Sequence, residues 1–256
     1  MELKVRKITG VEKTIRAPPS KSYTHRAFVV ASLAEGRSDI KTCLKAGDTL
    51  STLEACRAFG VAVEEGKHVT IHGCGGKLKT PRSTINCGNS GTTIRLISGM
   101  AALDGKVKLT GDESVKARPM QPLLDALNQF GVRAISEGGD GKPPVIIKGG
   151  RLLGGTVKIE GGISSQFISS LLLIAPYAAE DIEILLLSRL KSRPYVDITL
   201  DVMQKFGGVA ENEDYNKFVV EAGATYKGQN YQIEGDYSAA SYFLALAAMT
   251  NSKITV

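Results

Sequence analysis

Three short segments set groups that can hold an anion directly ahead of apolar runs of helical length. Ser20-Lys21-Ser22 leads into residues 27–31, with Arg26 at the junction; Asn89-Ser90-Gly91-Thr92 leads into residues 94–102, with Arg95 one turn in; Ser164-Ser165-Gln166 leads into residues 167–174. Ser and Asn are good helix caps, and a helix start carries unpaired N–H groups and a partial positive charge. Each segment is therefore a ready anion site. Arg118, after the turn at Gly111, and Arg189, Lys191 and Arg193, ahead of a later helix, add cations. A charge-assisted hydrogen bond contributes roughly 1.5–3 kcal/mol, so three or four on one phosphate would anchor a small ligand. Taken singly, such a Ser is an ordinary cap and such a cation an ordinary solvated side chain. Lys21 and Arg26, five apart at the opening of one apolar helix, carry the functional reading.

Other chemistries are excluded by spacing. Gly88-Asn89-Ser90-Gly91-Thr92 has neither the GxxxxGK[ST] spacing nor its lysine, and no GxGxxG opens a helix, so neither a P-loop nor a dinucleotide site is encoded. Cys43, Cys56, Cys74 and Cys87 include no CxxC pair and no histidine at ligand spacing, which points to reduced thiols in a cytoplasmic protein rather than a zinc site or a disulfide framework. His25 follows the first cap but adjoins Arg26, which disfavours its protonation; His68 and His72 lie on a strand whose solvent face accounts for them. The opening MELKVRK is charged, and residues 167–179 are broken by two Ser and a Pro, so neither a leader peptide nor a membrane span is expected. The chain has 256 residues, 43% of them hydrophobic, with 32 Lys+Arg against 26 Asp+Glu. A packed core is within reach and disorder is not expected.

The elements that position these helix starts recur. Leu53 to Val61, Leu124 to Val132 and Leu200 to Val209 each run through helical spacing to Phe-Gly (Phe59, Phe130, Phe206) and then into a strand. A Gly there suits a left-handed helix cap. Short alternating runs ending in Gly, at residues 69–73, 107–111, 145–149, 157–161 and 231–235, predict half-buried strands. Three units of strand, buried helix, strand, second helix and two strands follow, and a fourth begins at Gly235 with an apolar helix over 239–249. Residues 15–235 are expected to form one lobe, with residues 1–14 and 236–256 the start of a second, truncated one.

Five motifs in order, Pro19 to Ala27, Gly88 to Arg95, Ala117-Arg118-Pro119-Met120, Ser164-Ser165-Gln166-Phe167 and Ser192 to Asp197, closely resemble the 5-enolpyruvylshikimate-3-phosphate synthase family. The resemblance implies an α/β enolpyruvyl transferase fold: an inside-out α/β barrel of three βαβαββ units per lobe, helices inside and sheets outside. It also implies transfer of the enolpyruvyl group of phosphoenolpyruvate to the 5-hydroxyl of shikimate 3-phosphate, on the way to aromatic amino acids, with no metal and no cofactor. Carried over, Lys21 serves both substrates and is the one catalytic residue of this chain. Ser22, Arg26, Ser164, Ser165, Gln166, Ser192 and Tyr195 bind shikimate 3-phosphate; Asn89, Gly91, Arg118 and again Gln166 belong to phosphoenolpyruvate; Asp48 and Arg95 support the site. Gly91, lacking a Cβ, lets a ligand approach the backbone.

Leu96 stands after Arg95 where the family often has Pro. The family's proton acceptor and its remaining phosphoenolpyruvate ligands lie beyond Val256, so the missing C-terminal half is an expected partner, and the chain alone is expected to bind shikimate 3-phosphate without turning it over. The related transferase acting on UDP-N-acetylglucosamine is disfavoured, because Ser22 rather than Asn follows the lysine and residues 111–116 contain no Cys. A nucleic-acid module is disfavoured by 6% aromatic residues, no Trp and no long Lys/Arg run, which leave nothing to stack on bases or track phosphates.

Overall fold

The computed structural model describes residues 10–256. β1 (Glu12–Thr14) precedes α1 (Lys21–Leu33), β2 (Glu35–Lys41), α2 (Gly47–Ala58), β3 (Ala62–Glu65) and β4 (Val69–Cys74). Next come β5 (Ile85–Asn86), α3 (Gly91–Ala101), β6 (Lys106–Thr110), α4 (Glu113–Lys116), α5 (Gln121–Gln129), β7 (Arg133–Ser136) and β8 (Val145–Lys148). The third set is β9 (Gly155–Ile159), α6 (Ser165–Ile174), β10 (Ile182–Leu186), α7 (Arg193–Lys205), β11 (Ala210–Glu213) and β12 (Lys217–Val220). β13 (Asn230–Gln232), α8 (Tyr237–Thr250) and β14 (Lys253–Thr255) close the chain.

Three four-stranded sheets share one plan. Their orders are β5-β6-β8-β7, β9-β10-β12-β11 and β13-β2-β4-β3. In each the first pair is parallel and the other two pairs antiparallel. The first unit differs from the sequence expectation in one respect: among the described residues it has no leading strand of its own. β13, which follows all three units in the chain, takes that place beside β2, pairing Tyr231 with Ile40. Alternation in a sequence identifies a strand but not its neighbour, and a parallel pairing has no hairpin to reveal it.

The sheets cover α1, α3 and α6. From Thr24 to Leu33 every residue of α1 is buried, as are most of α3 and α6. Hydroxyls on these interior helices return their hydrogen bonds to their own backbones, Ser32 to the Phe28 carbonyl (2.6 Å) and Ser98 to that of Ile94 (2.7 Å). That satisfies a polar group where water cannot reach. The second helix of each unit ends alike: Phe59, Phe130 and Phe206 are buried in the core, and Gly60, Gly131 and Gly207 follow with φ of +82°, +79° and +87°. A Cβ at such a φ is strained, so the repeated glycine is what lets the chain turn from helix to strand there.

α3 and α6 pack backbone to side chain. A Cβ placed on Gly99 would lie 2.5 Å from Ser170 Oγ and 2.7 Å from the Ser170 carbonyl oxygen. Overpacking of this kind costs about 1–3 kcal/mol, and at this chain length each kcal/mol moves Tm by about 2–4 °C. Gly99→Ala is therefore expected to lower Tm by roughly 2–12 °C in thermal unfolding; an unchanged Tm would show that the two helices are not in this contact.

Outside the three units, β1 pairs in parallel with β14, Lys13 facing Ile254. α8 is apolar as expected, yet only Ala240 on it is buried, and Tyr237, Tyr242 and Met249 are largely exposed. Residues 1–9 of the expected second-lobe strand lie outside the described residues. Among the described residues no helix is long and apolar enough to cross a membrane.

Candidate active site

α1 starts at a serine. Ser20 accepts from the Tyr23 amide (3.4 Å) and its carbonyl from that of Thr24 (3.0 Å). Asp236, which also caps α8, accepts from the Lys21 amide (3.3 Å). The sequence suggested bare N–H groups at this start; the structure gives two of them protein partners, so the side chains offer a ligand more than the backbone does. The Lys21 ammonium is half exposed and donates to Asp48 Oδ2 (3.2 Å) in the first turn of α2.

Arg26 lies beneath this surface. It is 1% exposed, and its guanidinium donates to Thr199 Oγ1 (2.6 Å), the Ser22 carbonyl (3.0 Å), Ser169 Oγ (3.0 Å) and the Tyr195 carbonyl (2.9 Å). Four of its five N–H groups are thus spent on protein oxygens of α1, α6 and α7. Burial pushes its pKa down to about 10, still charged at neutral pH. Arg26 is a brace beneath the surface that carries Lys21, and one N–H on Nη1 is what it retains for a ligand.

α3 is capped by Ser90, which accepts from the Thr93 amide (3.1 Å). Gly91 is buried at the first position of this helix under the Arg118 guanidinium; a Cβ there would come within 2.1 Å of Arg118 Nη1. The missing Cβ makes room for that arginine, whose Nε donates back to the Ser114 carbonyl (3.3 Å). Asn89 is exposed on the turn before the cap.

α6 is capped by Ser164, which accepts from the Gln166 amide (3.3 Å). Gln166 bridges to α3: its Oε1 accepts from Arg95 Nη1 (2.8 Å) and its Nε2 donates to Thr92 Oγ1 (3.0 Å). The same Arg95 nitrogen is 3.4 Å from Ser164 Oγ. Burial, with Arg118 as a second positive charge nearby, pushes the Arg95 pKa down to about 10. Ser165 is buried. α7 is led by Ser192, which holds a left-handed backbone (φ 57°); a non-glycine residue in that region is strained. Tyr195 is 42% exposed and lines a cleft of about 610 Å³ with Lys21, Ser22, Tyr23, Pro194 and Asp236.

Lys21, Ser22, Asp48, Asn89, Gly91, Arg95, Ser164, Ser165, Gln166, Ser192 and Tyr195 lie at or beside the starts of α1, α2, α3, α6 and α7, with Arg118 held over Gly91; hydrogen bonds tie the starts of α1 and α2 (Lys21 to Asp48) and of α3 and α6 (Arg95 to Gln166) to each other. Arg193 is turned aside, its guanidinium 4.6 Å from the centre of the Tyr215 ring, and Arg189 and Lys191 are exposed. Sequence reasoning missed a buried layer beneath this surface. His25 Nδ1 is 2.7 Å from Thr52 Oγ1, Thr52 Oγ1 is 2.7 Å from Thr93 Oγ1, and Thr93 donates to the Asp48 carbonyl (3.1 Å). Burial, aided by the charges of Arg26 and Lys21, pushes the His25 pKa down to about 3. No local pattern joins Thr52 to Thr93, so nothing in the sequence could have shown it.

Positive side chains held over capped helix starts fit an anionic ligand. Comparison with known proteins agrees. The profile of the EPSP synthase (3-phosphoshikimate 1-carboxyvinyltransferase) family matches residues 5–256. A 3-phosphoshikimate 1-carboxyvinyltransferase of Methanothermobacter thermautotrophicus is 51% identical over 100% of this chain, and one of Methanocaldococcus jannaschii 48% identical over 98%. A 2.37 Å structure of EPSP synthase from Acinetobacter baumannii superposes with a TM-score of 0.84 at 33% identity, covering 94% of this chain and 54% of that one. The chain spans 60% and 59% of the lengths of the two archaeal relatives.

Proposed function

The chain belongs to the EPSP synthase family, and from that premise we propose that residues 15–235 are the shikimate-3-phosphate-binding lobe of a 3-phosphoshikimate 1-carboxyvinyltransferase. Residues 10–14 and 236–256 are then the beginning of a second lobe, completed by the part of the relatives that this chain does not span. The reaction joins the 5-hydroxyl oxygen of shikimate 3-phosphate, as it gives up its proton, to C2 of phosphoenolpyruvate while C3 takes up a proton; phosphate then leaves C2 as C3 loses a proton, which re-forms the enol ether. Both substrates are anions that repel each other. The protein's task is to hold them side by side against that repulsion, which supplies proximity and electrostatic stabilisation.

In this reading Ser164, Ser165 and Ser192 hold the phosphate of shikimate 3-phosphate, while Ser22, Gln166 and Tyr195 flank its ring. Arg26 supports Ser22 and Tyr195 from beneath and offers its one remaining N–H. Lys21 stands between the two ligands, and Asn89, Gly91 and Arg118 form the phosphoenolpyruvate side. The proton acceptor and the remaining cations come from the second lobe, and the enzyme works in the cytoplasm, where its cysteines remain thiols. The observations that carry this reading are the Arg95–Gln166 bridge between the starts of α3 and α6, Arg118 held over Gly91 at the start of α3, and the Lys21–Asp48 pair at the starts of α1 and α2.

Calorimetric titration of the 256-residue chain with shikimate 3-phosphate is expected to give saturable one-to-one binding. Lys21→Ala is expected to weaken it roughly 10- to 100-fold, the loss of one charge-assisted hydrogen bond, with little change in Tm because that side chain is half exposed. No binding by the wild-type chain would remove the reading. Phosphate release with both substrates is expected to stay at background; turnover would show that residues 1–256 supply every catalytic role.

A further inference from the structure

The buried layer has a definite proton order. The Asp48 carbonyl can only accept, and Thr93 Oγ1 is its side-chain donor at 3.1 Å. Its single proton is directed at that carbonyl and at Ser90 Oγ, 2.7 Å away, so toward Thr52 Oγ1, also 2.7 Å away, Thr93 can only accept. Ser90 remains free to accept the Thr93 amide as a cap. Thr52, now a donor to Thr93, must accept from His25 Nδ1 at 2.7 Å. His25 therefore carries its proton on Nδ1, and the unprotonated Nε2 is the ring atom without a partner among the described residues. A bare lone pair in an apolar setting is cheaper than an orphaned N–H, so the geometry is self-consistent.

This chain joins three helices at the points that matter to the site. Asp48 is also the residue whose carboxylate holds the Lys21 ammonium, and Ser90 caps the helix whose first residue, Gly91, lies under Arg118. His25 and Thr52 are fully buried, as is Thr93, so water cannot substitute for a missing member. Resting on the reading of this surface as the substrate site, we propose that Thr93 is a positioning residue: it ties the start of α3 to the Asp48 clamp on Lys21 through an ordered chain of hydroxyls beginning at His25, and so fixes the spacing between the two substrate positions.

Two measurements on the full 256-residue chain test this. Nitrogen-15 NMR of the histidine-labelled protein reads the ring protonation directly, and His25 is expected as the single Nδ1–H tautomer at neutral pH. An Nε2–H tautomer would overturn the proton order and the proposal with it. Thr93→Val keeps the β-branched shape and removes the hydroxyl; it is expected to weaken shikimate 3-phosphate binding roughly three- to tenfold and to abolish the single tautomer, because Thr52 loses its acceptor. Thr93→Ser, which retains the hydroxyl, is expected to restore both to within twofold. A folded Thr93→Val variant with wild-type affinity and an unchanged His25 signal would overturn the positioning role. Should that variant not fold, Thr52→Val is expected to change the tautomer in the same way, and an unaltered signal there would also overturn it. A wild-type chain that binds no shikimate 3-phosphate would remove the substrate reading and the positioning role together, while the tautomer would still decide the hydroxyl order.

Discussion

Arg26→Ala is expected to lower Tm by roughly 10 °C, the largest loss from any single side chain near the site. The guanidinium is 1% exposed and donates to four oxygens on α1, α6 and α7. Truncation leaves the Ser22 and Tyr195 carbonyls without these donors, breaks the tie to Ser169 and Thr199, and opens a cavity. Several buried acceptors left without donors, together with a cavity, cost about 3–5 kcal/mol, and about 2–4 °C accompanies each kcal/mol at this length. Arg26→Lys is not expected to recover the loss, because one ammonium cannot reach four acceptors spread over three helices. Thermal unfolding followed by circular dichroism checks both variants. A Tm within 2 °C of wild type for Arg26→Ala would mean that these bonds contribute nothing net. Reduced ligand binding by Arg26→Ala therefore has to be judged against Lys21→Ala, where the fold is expected to stay intact.

Helical geometry explains why that distinction was not legible beforehand. Five residues at about 100° each place Arg26 about 140° around the helix from Lys21, so Arg26 turns against α6 and α7 while Lys21 stays half exposed at the start of α1. The spacing was visible in the sequence. What hid its meaning was the run from Ala27 to Ala31, apolar on every face, which removes the amphipathic stripe by which an inward direction is normally read. The repeated plan was legible because each unit carries local markers: a serine cap before an apolar helix, Phe-Gly at the end of the second helix, an alternating strand closed by Gly. β13 carried its marker too, and only its partner escaped, since parallel pairing with β2 joins Asn230 to Asp39 across almost the whole chain. The polar layer of His25, Thr52 and Thr93 escaped for the same reason, being a purely tertiary arrangement of three residues that each look unremarkable in sequence.

His25 also sets an acid limit on stability. Its folded pKa is pushed down to about 3, by burial first and then by the charges of Arg26 and Lys21, against about 6.5 for an ordinary histidine. Between those values the unfolded chain binds a proton that the folded chain refuses, so stability must fall as pH falls. The contribution is fully present above pH 6.5 and is lost progressively down to about pH 3. At 1.36 kcal/mol per unit, acidification to pH 4.5 is expected to cost about 2–3 kcal/mol through this one ring, or roughly 5–10 °C in Tm. Carboxylates with lowered pKa values, such as Glu65 held by Arg57 and Asp39 held by Thr70 and Arg37, add their own losses, but chiefly below the ordinary carboxylate range. The window from pH 6.5 to 4.5 is thus the place to isolate the histidine. His25→Gln cannot be protonated and can still donate toward Thr52, so its Tm is expected to be flatter across that window than the wild-type curve. Parallel curves for the two proteins, measured at matched ionic strength, would mean that His25 takes up its proton within the folded core and that the buried hydroxyl layer tolerates a cation.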